Sequence, residues 1–381
     1  MKFDATFVKS TAVLREKLGT ATGSLAHYWQ WMQHAARQAP ERYPWYQPFC
    51  ALVTEDVEFL AAARRAVLHF VDRLPAQDCI ALVQYHHWAA AAPVARWGVM
   101  YDWIADVAPF TEAEHSHIRQ TLLDYGLKHI LPALQTKSRR DDNNQVLSLA
   151  LAATELGWVF GQRRGPDPLA TALLDYGIER LHILMDTIPA EGYSAEGSSY
   201  MLQIFGPGMV FSAKLLEEIT ETPWLVRQAA KTGTSVVDVL RMCVHQYTPG
   251  SLCLPWDHHG FIPAQNFLLP VVLAETTGES TWLELPERLH TWSVEQNTMW
   301  GMDDKVWALL WWPDDPAPVQ HSPFTNWMLP HVAGGLVDAA AQLSVVQAWD
   351  RCGDTGADRL HQCHLRSGPL WHPHRRQPAL C

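Results

Sequence analysis

Positive charge is in short supply in this chain. Lys and Arg together number 29 against 40 Asp and Glu, a formal net charge of −11. A nucleic-acid backbone or an anionic membrane surface is held by dense Lys and Arg, so neither is an expected partner. A local basic cluster can still oppose the global sign, which leaves an anionic small substrate open. Long apolar runs are also missing, and none approaches the roughly 18 residues that argue for a membrane span. The N-terminus, Met-Lys-Phe-Asp-Ala-Thr-Phe, has no apolar stretch and no cleavage site of the secretory kind. The sequence reads as a soluble, cytoplasmic protein. Cys50, Cys79, Cys243, Cys253, Cys352, Cys363 and Cys381 make an odd set, with no pair spaced as a zinc knuckle or redox motif. Reduced thiols are expected, with no metal and no cofactor.

Strand-like alternation is scarce, and no short solenoid repeat occurs. What the chain has is helical patterning between loops. Leu25, Tyr28, Trp29, Met32, Ala35 and Ala36 share one face over 25–39, and three prolines in 40–48 stop that helix. A second helix is expected over 54–73, opened by Thr54 with Glu55 and Asp56 in its first turn. Residues 111–131 carry a capping box, Thr111 with Glu114, and end before Pro132. Further helices are expected over 143–157, from Asp167-Pro168 to Asp186, over 214–241 with a break at Pro223, over 264–276 and over 300–312. The fold class is all-α, built as a helical toroid or an open helical stack. Domain organisation reads as one helical unit over 1–330, then an irregular Arg-, His-, Pro- and Cys-rich tail over 331–381.

The chain holds 18 tryptophans and 19 histidines. Tryptophan serves a core and stacks on sugar rings equally well, so most belong to the core and the rest to a groove. Three loop-centred clusters stand out: Asp141-Asp142-Asn143-Asn144-Gln145 at a helix start, the 189–201 stretch with Glu191, Tyr193, Glu196 and Tyr200, and Trp256-Asp257-His258-His259. Each has a structural reading beside a functional one. Asn and Asp are ordinary helix caps. Tyr200 is either a helix-entry aromatic packed inward or a proton-transfer group. Glu196 either accepts its own loop's amides or neutralises charge when protonated. Arg96 either holds an anionic substrate or makes a structural ion pair with Asp102 or another acid.

The order Tyr101-Asp102-Trp103, Asn143-Asn144, Glu196-Gly197-Ser198-Ser199-Tyr200, then Pro255-Trp256-Asp257 resembles the helical domain of the heparinase II/III-like and oligo-alginate-lyase-like polysaccharide lyases. The resemblance spans about residues 25–300, and Glu-Gly-Ser-Ser-Tyr is its most specific part. It implies an incomplete (α/α) toroid of paired antiparallel helices, followed in the family by a β-sandwich. It also implies β-elimination on a uronate-containing oligosaccharide or polysaccharide. By resemblance Asn144 neutralises the substrate carboxylate, Tyr200 transfers protons, and His258 or His259 (or His86 or His87) supplies the second proton-transfer group. Gln145, Glu196, Arg96, Tyr101, Trp256 and His87 are the implied substrate-binding residues. Family members are often periplasmic or secreted. The chain departs from the pattern at Gln145, where several such lyases carry histidine or tryptophan; glutamine can donate to a carboxylate but cannot act as a base. The β-sandwich is not recognisable, so 331–381 reads as a truncated or frame-shifted remnant, with activity weakened or lost.

Two other functions fit the same residues. An inverting or hydrating glycoside hydrolase on a helical toroid needs two carboxylates flanking the bond, roughly 6.5–9.5 Å apart, which Asp141 or Asp142 can form with Glu196 or Asp257. A non-catalytic glycan-binding protein fits Gln145 and the missing sandwich.

Overall fold

The computed structural model describes residues 3–74, 79–137, 144–190, 192, 201–244, 252–253, 262–263, 268–284, 286, 304–314 and 316. Those residues are mostly helical, as expected. The helices are α1 (Thr11–Gly19), α2 (Gly23–Gln38), α3 (Tyr46–Thr54), α4 (Val57–Arg73), α5 (Cys79–Ile104), α6 (Glu112–Tyr125), α7 (Leu131–Lys137), α8 (Asn144–Trp158) and α9 (Pro168–Asp186). They continue with α10 (Gly206–Thr220), α11 (Val236–Val244), α12 (Leu268–Thr277) and α13 (Asp304–Trp311). A two-residue antiparallel pair, β1 (Leu252–Cys253) and β2 (Ile262–Pro263), lies between α11 and α12.

Local chemistry sets the helix ends. Thr111 and Glu114 form the expected capping box at the head of α6. Asp167 caps α9 through Leu169 and Ala170, with Pro168 first in the helix, where its missing N–H has no helical acceptor to lose. Thr54 closes α3 rather than opening α4: its hydroxyl donates to Cys50 O at 2.7 Å. Glu55 then turns the chain with φ of 55°, and Asp56 caps α4 by accepting the Glu58 N–H at 2.8 Å. Pro132 does not end the helical path after α6. A π turn over Gly126–Ile130 carries the Leu131 N–H back five residues to Gly126 O, and α7 continues through the proline. The span expected as one broken helix over 214–241 is two helices, α10 and α11, separated by a loop that begins at left-handed Glu221.

Helix α8 is buried nearly all round, as a helix at the centre of a helical assembly must be. Glycine lets α9 approach it closely. A Cβ on Gly157 would stand 2.5 Å from Leu174 N, and one on Gly177 would stand 2.5 Å from Thr154 Oγ1. As the chain advances along α8 it retreats along α9, so the tail of α9 returns to the head of α8.

The N-terminal segment is tied into this core. Phe7, at φ of 67°, places its ring against Phe211, Trp307 and Trp311 with centroids 5.6–6.1 Å apart. Trp103 donates its indole N–H to Thr6 O at 2.8 Å. Most of the described tryptophans are core residues, with Trp307 only 1% exposed.

Candidate functional site

Asn144 opens α8 and is 4% exposed, with Gln145 beside it half-buried. The side of the molecule around that helix head follows from three contacts. The α9 tail returns toward it, as the paired glycines require. Trp158, last in α8, donates to Glu218 near the tail of α10 at 2.8 Å, so α8 and α10 end together and begin together. The π turn Met201–Phe205, which leads into α10, also packs on α8.

Helix α11 joins the same end. Gly192 lies against the Asp238 and Val239 backbone, and Cys243 Sγ lies 3.7 Å from Met201 O. Thr232 and Thr234 donate to Ile188 O at 2.8 Å and Ala190 O at 3.1 Å, fastening the exit from α9. The head of α8, the tail of α9, the entrance to α10 and the tail of α11 therefore share one end of the bundle. Helix dipoles make the head of α8 attractive to a carboxylate.

Of the expected site residues, Asn144 and Gln145 lie at this end. Tyr200, Glu196, Trp256, His258 and His259 lie outside the described residues, as do Asp141, Asp142 and Asp257. His86 and His87 fall in α5, with side chains outside the described set.

Arg96 and Tyr101 belong to the core. Arg96 is 1% exposed, its Nη1 stands 2.5 Å from Glu155 Oε1 without hydrogen-bonding alignment, and its guanidinium lies 3.6 Å over the Phe211 ring. Burial shifts both members of the pair toward their neutral forms. A solute cannot reach that guanidinium, which corrects the expectation that Arg96 touches substrate. Its acid is Glu155, not Asp102. Tyr101 is 4% exposed, with its hydroxyl 2.7 Å from His115 Nδ1, and burial pushes the phenol up to about 12. It too is placed away from solvent.

Asp102 instead takes Arg163 Nε at 2.7 Å and Arg164 Nε at 2.6 Å, together with the Thr6 N–H and hydroxyl. Arg163 reaches on to the carbonyls of Phe3 and Asp4. The basic stretch after α8 is thus a clasp on the N-terminal segment. Glu218 completes it, accepting the Phe7 N–H at 2.6 Å and the Trp158 indole. Burial pushes the Glu218 carboxyl up to about 7, against the downward pull of those two donors and Arg163. No spacing in the sequence announces this clasp, because its members come from four separate stretches.

A second feature escaped sequence reasoning: a cleft of about 310 Å³ among α1, α10, α12 and the tail of α13, lined by Lys17, Lys214, Glu217, Glu275 and Trp311. Among the described residues no three metal-ligating side chains cluster, and no helix is long and apolar enough to cross a membrane. No protein-family model matches the chain, and no curated protein sequence matches it either.

Proposed function

We propose that this protein is a lyase that cleaves a uronate-containing oligosaccharide or polysaccharide by β-elimination, on an incomplete (α/α) toroid of paired antiparallel helices. The observation that carries the reading is the seat of Asn144. It opens a central helix at the same end as Met201, the residue that directly follows Tyr200 in sequence. The resemblance in the Glu-Gly-Ser-Ser-Tyr element supplies the rest.

The chemistry sets what the residues must do. The proton to be removed sits on the carbon next to an ionised carboxylate, where negative charge is unwelcome. Asn144 and Gln145 donate to that carboxylate, assisted by the head of α8, and stabilise the charge that grows on it. The base, His258 or His259, takes the C5 proton. The C5–H electrons become the C4–C5 double bond, the C4–O bond breaks, and Tyr200 protonates the departing oxygen. Tyr200 can also serve as the base when its phenol is ionised.

The test is incubation with polyuronate and glycosaminoglycan oligosaccharides, following the ultraviolet absorbance of the unsaturated uronate and, separately, new reducing ends. Absorbance that disappears in Tyr200→Phe supports elimination. New reducing ends without absorbance replace it with hydrolysis, and binding without either signal leaves a glycan-binding protein.

A further inference from the structure

The 310 Å³ cleft lies away from the head of α8. Gly206, first in α10, packs near Leu269 at the head of α12, whereas Lys214 meets Glu275 about two turns further along both helices. The cleft opens at that lower level, where α1 and the tail of α13 close it.

Its charges divide into used and unused. Lys17 is structural: its ammonium donates to Leu310 O at 3.1 Å and Trp312 O at 2.8 Å and faces Asp314 at 3.3 Å, which ties down the tail of α13. Lys214 differs. Its side chain is 8% exposed, and one N–H goes to Glu275 Oε2 at 2.9 Å. An ammonium has three donors; among the described residues no second oxygen or nitrogen acceptor meets Lys214, whose ammonium also lies 5.9 Å over the Trp311 ring. Glu217 is the complement. One of its oxygens accepts the Leu225 N–H at 3.2 Å, and its carboxylate pairs with no cation among the described residues. The cleft therefore offers unclaimed donors and unclaimed acceptors side by side, next to the indoles of Trp311 and Trp312.

We infer that this cleft binds a neutral polyhydroxylated ligand of one-ring size, a hexopyranose in chemical class. The charge balance selects neutrality. Lys9, Lys17 and Lys214 face Glu217, Glu275 and Asp314, so an anion meets carboxylates already seated there and a cation meets the lysines. A hydroxyl both accepts from Lys214 and donates to Glu217, whereas a carboxylate only accepts and an ammonium only donates. Trp311 and Trp312 line the cleft as largely buried apolar wall, and the volume stands at the small end of ligand sites, about 300–1,000 Å³.

The experiment is isothermal titration calorimetry of the full chain with D-glucose, D-galactose and D-mannose, with D-glucuronate as the anionic and ethanolamine as the cationic comparator. At least one neutral hexose is expected to bind, at least about tenfold tighter than either charged probe. Lys214→Met and Glu217→Gln are each expected to weaken that binding about tenfold, and Tyr200→Phe to leave it unchanged. Glu217 is half-buried, so Glu217→Gln carries the test if Lys214→Met does not fold. Failure of all three hexoses to bind overturns the inference. So does preference for glucuronate or ethanolamine, or binding that survives both cleft substitutions.

Discussion

Glu218 accepts the backbone N–H of Phe7 at 2.6 Å across 211 positions of sequence. The carboxylate is buried and also holds the Trp158 indole, so a single side chain joins the N-terminal segment, the tail of α8 and the tail of α10. Glu218→Ala strands the buried Phe7 N–H and the part-buried Trp158 indole N–H, and a buried donor left unsatisfied costs roughly 1–3 kcal/mol. Chemical denaturation is expected to show a loss of about 3 kcal/mol.

The same carboxyl gives stability a definite pH dependence. Its folded value, about 7, lies above its ordinary 4.5, so between those limits the folded state binds more protons than the unfolded chain. Its contribution is fully present below about pH 4.5 and is lost as pH rises through 7. The stability of the protein relative to Glu218→Gln is expected to fall steadily across that window in denaturation series, with the wild type relatively strongest at its acid end. A difference that is flat with pH contradicts the burial argument.

Arg96 and Glu155 test a different balance. Both are 1% exposed, and removing one leaves the other charge in the core without compensation. Arg96→Met alone is expected to cost about 3–5 kcal/mol, whereas Arg96→Met with Glu155→Leu recovers most of it. A double-mutant cycle by urea denaturation reads the coupling.

The α8–α9 contact predicts a reversal of helix propensity. Alanine ordinarily favours a helix over glycine by about 1 kcal/mol. At Gly177 the new Cβ would stand 2.8 Å from Thr154 N, a backbone atom that cannot step aside. Gly177→Ala is expected to destabilise by about 1–3 kcal/mol through overpacking. Gly19→Ala, with nothing within 4 Å of its Cβ, is the control and is expected to be neutral or stabilising. Melting temperatures of the two variants decide the matter.

For the proposed elimination, Asn144→Ala and Tyr200→Phe are each expected to lower kcat by about 100-fold or more, since each removes a group acting in the transition state. Loss of binding with unchanged kcat in Asn144→Ala would make it a ground-state contact only.

The sequence by itself determined the helical class, the capping box at Thr111 and the Asp167-Pro168 start, because those depend on neighbours a few residues apart. It also marked Asn144 as a helix-opening residue. It misjudged Thr54 and Pro132, where one left-handed residue and one π turn redirect the chain. Only the tertiary structure decided that Arg96 belongs with Glu155 and Phe211 in the core, that Asp102 belongs with Arg163 and Arg164, and that Lys17 and Lys214 wall a cleft with residues near 275 and 311. The physical reason is the reach of the interactions. Caps and periodicity act within a turn or two of helix, whereas a buried charge is satisfied by whatever partner packing delivers. That partner can lie hundreds of positions away.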